Sequence, residues 1–420
     1  MKESEEKYLL DIVDFTKEMK KTHTVLIPTM LEFHFRLLEA ALNNLGYKTE
    51  LLKNDDTHVV TTGLRYVHND TCYPALCVIG QFIEALKVRN DLDKVALIIT
   101  QTGGGCRATN YVPLLRKALD KANFHNIPII VLNLGNLKES RGIDMNIKFL
   151  SKLVAAITYG DTIMYLHNKT RSYEIEKGAS YAIANKWINK LGELIRNGKG
   201  TKKKDIKKYL PLIAKDFDNL PIEMKKLPKV GIVGEIYVKY SPIGNNHLEQ
   251  FLVSSGAEIN VPGLFAFVLY CLQNSIYDVG YYGGKHLKVH ITNFLVSFLV
   301  KREKLMIDAI KLTKFNPPQP FREMKDYTHG IIKHGAKMGE GWLLTAEMIE
   351  LIESGYPNIV LTQPFGCLPN HICGKGVMKR IRSLHNEANI VAIDYDSSAS
   401  KVNQENRIKL MLAIAKENMN

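Results

Sequence analysis

VALIITQTGGGCRATNY, residues Val95–Tyr111, decides the fold. Its first six residues (Val95–Thr100) are almost unbroken aliphatic and read as a strand buried on both faces, since a half-exposed strand would alternate apolar with polar. Three glycines then break the pattern, and a helix is expected from about Val112 to Ala122. The strand PIIVLN (Pro128–Asn133) follows. Strand, glycine-marked loop, helix and strand in succession make a parallel sheet with both faces covered.

Working outward, HTVLIP (His23–Pro28) reads as another buried strand, followed by a helix from about Leu31 to Leu45. Strands are expected at Lys48–Leu52 and near Val59–Thr61, then a helix from Pro74 to about Val88. From Phe149 to Met224 the chain turns helical, basic and poor in strand signals. The strand grammar restarts at KVGIVGEIYV (Lys229–Val238), read as a buried strand. A helix over His247–Gly256, a short strand at Ala257–Pro262 and strands at Asn358–Pro364 and Ala388–Asp396 follow. The helix beginning at Trp342 ends on Gly355, a residue suited to a C-terminal cap. The reading is α/β: two Rossmann-like parallel-sheet domains, 1–148 and 228–420, joined by a helical connector at 149–227.

Composition narrows the function. At 420 residues, 45% hydrophobic and 24% charged, the chain has the make-up of a globular protein with more than one core. No run is long enough to span a membrane, and the charged, amphipathic N-terminal segment lacks an apolar signal core, so a cytoplasmic location is expected. The net charge of +13 is uneven, much of it coming from NGKGTKKKDIKK (Asn197–Lys208) and from scattered lysines; that segment is read as a solvated linker, with docking of an acidic partner or a CoA or nucleotide phosphate as the alternative. Aromatic residues do not interleave with that basic run, which argues against nucleic acid as a partner.

Six cysteines are too few for a disulfide scaffold, and CxxC is absent. Three of them, Cys72 (NDTCYP), Cys106 (QTGGGCRATNY) and Cys367 (QPFGCLPN), sit in loops read as strand-to-helix links, where helix N-termini favour a thiolate. Soft thiolates gathered from distant loops suit a metal or an iron–sulfur cluster. Cys77 and Cys373 read as small buried hydrophobes, while Cys271, read as following an apolar-aromatic helix (FAFVLYC), is a candidate additional ligand. The glycines of the GGGC loop also admit a phosphate, although neither a Walker A nor a dinucleotide fingerprint is present. Arg107, His68, His371, Glu235 and Glu340 are the polar residues nearest these loops or in glycine-flanked settings. They are candidates for charge pairing or proton handling, against capping or surface roles.

Together the strings NDTCYP, QTGGGCRATNY, VGIVGEIYVKYSPIGNN, GEGWLLTAEM, QPFGCLPN and AIDYDSSAS, with Asn406–Arg407 beyond, resemble the 2-hydroxyacyl-CoA dehydratase D-component-like family. That family includes benzoyl-CoA reductase-type subunits and double-cubane cluster proteins, and the likeness is nearest to the dehydratase-like part of activase-related proteins. The resemblance implies a 4Fe–4S cluster on Cys72, Cys106 and Cys367 in an oxygen-sensitive lyase. It implies as partner an ATP-dependent activase, with its own cluster, that supplies a low-potential electron for radical dehydration or reduction of an acyl-CoA-type substrate. The chain has no P-loop and would be the electron acceptor, in a homodimer or heterodimer. Alternatives are a double-cubane reductase of small molecules, a non-catalytic electron-transfer subunit, and a zinc-stabilised binding protein.

Overall fold

The structure, a computed structural model, describes residues 13–54, 56, 58–102, 104–133, 140–143 and 145–419. Of the charged, amphipathic N-terminal segment, residues 1–12 lie outside the described residues, as does Gly103 of the glycine loop; in the rest of it the helical residues begin at Met19. In the first half, β1 (Thr24–Ile27), α1 (Glu32–Asn44), β2 (Lys48–Leu51), α2 (His58–Tyr66), α3 (Tyr73–Lys87), β3 (Val95–Gln101), α4 (Tyr111–Lys121) and β4 (Ile129–Asn133) follow one another. Three helices come next: α5 (Ile147–Thr170), α6 (Ala179–Arg196) and α7 (Lys203–Asp218). The second half comprises β5 (Lys229–Gly234), α8 (Ile236–Tyr240), β6 (Glu258–Asn260), α9 (Leu264–Tyr282), α10 (His286–Ile310), α11 (Trp342–Glu353), β7 (Asn358–Pro364), β8 (Asn389–Tyr395) and α12 (Lys401–Glu417), with short turns of helix between.

Both sheets are four-stranded and wholly parallel, and they share one topology. Their orders are β2-β1-β3-β4 and β6-β5-β7-β8. In each, the chain runs outward from its first strand and then returns past it, so the strand order reverses between β1 and β3 and between β5 and β7. The carboxyl ends at such a reversal leave a crevice for ligands. Aliphatic runs made both central strands: β7 is buried at every position and β3 from Val95 to Ile99. One core joins Leu97 and Ile130 of the first sheet to Ile232 and Val360 of the second. On the other side of the second sheet, Leu344, Met348 and Leu351 of α11 pack on Ile359, Leu361 and Ile390.

A buried polar joint fixes the halves to each other. His34 Nε2 on α1 lies 2.7 Å from Asp161 Oδ1 on α5, and Asp161 also accepts from the backbone N–H groups of Leu264 and Phe265, both at 2.8 Å, where α9 begins. Any side chain at Gly160 would strike the His34 ring, and one at Gly263 would strike the Asp161 carboxyl. Among the described residues, no helix is long and apolar enough to cross a membrane.

Four local readings need correction. The strand expected near Val59–Thr61 is helix α2. Its β-branched residues favour strand by propensity, but Gly63 and Gly80 let α2 and α3 touch backbone to backbone, and that packing prevails. The strand starting at Lys229 stops at Gly234 rather than running to Val238, because Gly234 (φ +153°) turns the chain tightly against Thr362 of β7. Cys271 lies within α9, which continues to Tyr282, and not after a helix. The basic run is no linker: from Lys203 it forms the first turns of α7, with Lys203, Lys204, Lys207 and Lys208 exposed.

Candidate functional site

Each of the three singled-out cysteines immediately precedes a helical segment. Cys106 follows β3 and leads through a short 3₁₀ turn into α4. Cys367 follows β7, the equivalent strand of the second sheet, and opens an irregular helical stretch in which the His371 N–H reaches back to its carbonyl. Cys72 departs from the expectation, since it links two helices and caps α3. Its loop is tied to that of Cys106 in two ways. Arg107 donates to the Asp70 carbonyl at 2.6 Å, and the Tyr111 hydroxyl donates to Cys72 Sγ at 3.5 Å. Arg107 therefore positions one cysteine loop against the other.

Glu235 and Glu340 meet at the start of α8. Glu235 begins α8, with its carboxylate accepting from the Val238 N–H at 2.8 Å. Glu340 reaches across to accept from the Ile236 N–H at 3.0 Å. Burial, and then the charge of Glu340, lifts Glu235 to about 8. Burial likewise raises Glu340, with Lys239 opposing; that lysine is itself held 3.0 Å from Glu347. The charge of Glu235 bears on Cys72, Cys77, Cys106 and Cys367, and that of Glu340 on Cys106, Cys271, Cys367 and Cys373. Each of the six free cysteines feels at least one of these two carboxyl groups.

This setting reverses the expected thiol chemistry. Burial pushes Cys72 up to about 12, Glu235 pushes in the same direction, and the Tyr111 hydroxyl opposes. Burial raises Cys106 and Cys367 too, with both carboxyl groups adding to it. The helix N-termini do not outweigh desolvation beside two acids, so the free chain carries thiols at neutral pH. A bound cation changes that balance, because a coordinating thiol is deprotonated outright.

Polar groups without partners gather here as well. Among the described residues, the buried side-chain oxygens of Gln101 at the end of β3, Gln363 in β7 and Asn370 accept no hydrogen bond. Asn370 Nδ2 lies 3.2 Å from Cys367 Sγ. At the rim, Met338 Sδ accepts from the Gly105 N–H at 3.3 Å, joining the two halves, while Phe365 and Leu368 expose apolar surface beside Cys367. Among the described residues, no three His, Cys, Asp or Glu side chains are grouped closely enough to hold a metal ion.

Of the other candidates, His68 is surface-exposed and bonds its own loop through the Asp70 N–H. Cys77 and Cys373 are buried in the apolar cores, as read. Tyr111 and Asn370 escaped the sequence reading, although both lie in quoted strings. Asn370 stands three residues after Cys367, a spacing at which a helical turn returns a side chain to the residue before it. No family model matches the chain, and no curated protein matches it.

Proposed function

We propose that the chain is an iron–sulfur protein of the 2-hydroxyacyl-CoA dehydratase type, receiving single low-potential electrons from an ATP-dependent activase and using them on an acyl-CoA-like substrate. The observation that supports this most is the placement of Cys106 and Cys367 at equivalent carboxyl-terminal loops of two like sheets, with the Cys72 loop fastened to that of Cys106. The donor chemistry suits the group: three half-buried thiols from separate elements, with unpartnered amide oxygens on Gln101, Gln363 and Asn370 in the segments that lead to or follow two of them. When bound, a 4Fe–4S cluster supplies one-electron chemistry.

The remaining work falls to the chain. Cys72, Cys106 and Cys367 provide the anionic sulfurs, and Asn370 orients the third through its Nδ2. Arg107 and Tyr111 hold the Cys72 and Cys106 loops in register. Glu235, raised by burial and by Glu340, holds its proton more tightly than an ordinary carboxyl group and so lessens the negative charge beside the sulfurs. Replacing Cys72, Cys106 or Cys367 singly by alanine is expected to strip iron or lower its occupancy, whereas Cys77→Ala leaves it. Full iron retention in all three single variants would sink the assignment.

A second reading rests on the reach of Glu340, whose charge raises Cys271 and Cys373 as well as Cys106 and Cys367. Under it, Cys271 and Cys373 join the ligand set of a double-cubane site. Iron loss on Cys271→Ala would separate the two readings.

A further inference from the structure

Helix α10 carries two apolar faces, and only one of them is covered. Thr292, Val296, Leu299, Glu303 and Met306 point into the molecule. On the opposite side, Leu287 (69% exposed), Ile291, Phe294 (71% exposed) and Phe298 form a second stripe, flanked by Leu295 and by Tyr281 and Tyr282 (74% exposed) at the end of α9. A helix that is apolar all round belongs in an interior. From Val289 to Val300 there is no Asp, Glu, Lys or Arg, in a chain that is 24% charged.

We infer that this face is the contact between two copies of the chain. Taking ~200 Å² for an aromatic side chain, and somewhat less for an aliphatic one, the seven exposed side chains offer on the order of 700 Å². That exceeds the ~300–600 Å² of the largest apolar patch on an ordinary monomer and approaches the ~800 Å² per partner of a stable complex. The stripe is also self-complementary. Leu287, Ile291, Phe294 and Phe298 are spaced four, three and four residues apart, the spacing of a coiled-coil seam. Antiparallel about a two-fold axis, Leu287 meets Phe298 of the second copy and Ile291 meets its Phe294, so the two α9–α10 hairpins form a four-helix bundle. In that register the uncharged stretch faces itself, and Lys285, Lys288, Lys301 and Arg302 fall toward its ends. An acidic partner would find no charge at the centre to recognise. The stripe begins close to the cysteine loops, since Tyr282 lies against Lys337, and Met338 contacts Gly105.

Sedimentation velocity of the full chain at micromolar concentration tests this. The expected mass is near 95 kDa, twice the chain's 47.5 kDa. Ile291→Glu with Phe294→Glu should return the mass to that of one chain while the chain still melts cooperatively, at a lower temperature because the stabilisation by association is lost. Leu410→Glu, at an equally exposed apolar position on α12, should leave the dimer intact. Should the double variant lose its fold, the milder Phe294→Ser repeats the test. A wild-type chain that sediments as a monomer overturns the proposal, whether or not it binds anionic vesicles, and so does a dimer that survives the stripe substitutions in a folded variant.

Discussion

Glu303, on the covered side of α10, shows how a single buried carboxyl tunes this molecule. Its Oε1 accepts from the Phe321 N–H at 2.9 Å, yet burial still lifts it to about 7. The folded state therefore binds this proton more tightly than the unfolded chain, whose value is near 4.5. The stabilisation is complete below that unfolded value and is lost as pH rises from there through about 7, by roughly 3 kcal/mol. Glu303→Gln keeps an acceptor for Phe321 and removes the titration. Urea midpoints measured from pH 5 to pH 8 should accordingly fall less steeply in the variant than in the wild type, and parallel curves would refute this. At the same scale, the site's thiols were legible in the sequence as residues but not as chemistry. Loop position predicts a stabilised thiolate, while the neighbours that reverse it, Glu235 and Glu340, come from elements more than 100 residues away from Cys72 and Cys106 along the chain. Only the fold brings those charges together.

Among the elements, the pairing of α2 with α3 governs where Cys72 sits. A Cβ on Gly63 would collide with the Leu76 carbonyl, and one on Gly80 with that of Val59. Gly80→Ala should therefore cost about 1–3 kcal/mol, shift the start of α3 and lower iron occupancy at Cys72. A thermal melt together with iron analysis checks both effects, and an unchanged melt would contradict the close crossing. Gly234→Ala should be more damaging, because the collision there is with backbone and side chain of Thr362 and the residue also needs its positive φ. Most strands were readable because parallel strands buried on both faces leave long aliphatic runs; β7 coincides with the run read for it. Helix α2 was not, since VVTT carries strand propensity and what overrides it is a backbone contact with the next helix, made through Gly63 and Gly80, which no local pattern announces. The end of β5 was missed for a similar reason: IYV continues the aliphatic run while the turn at Gly234 depends on β7.

Across the whole molecule, two sheets of like topology are joined at Gly105 and Met338 near the cysteine loops and at Asp161, which ties His34 to the start of α9. Asp161→Asn, which weakens the acceptor for two backbone N–H groups and the His34 ring, should destabilise the chain by about 2–4 kcal/mol. Loss of a single cooperative melt would accompany it, and two-state unfolding at wild-type stability would argue against a joint. The repeated topology was legible as two strand-rich halves. The unpartnered face of α10 was not, because a helix apolar on both sides has no sequence signal telling the covered side from the open one. The account rests on the cysteines, so its most direct test is iron, sulfide and zinc per chain on protein purified without oxygen, with absorption spectra before and after dithionite. It predicts about four irons and four sulfides per chain, or about twice that for the double-cubane reading, and a spectrum that bleaches on reduction. Zinc without sulfide, or no metal after anaerobic reconstitution, would contradict it.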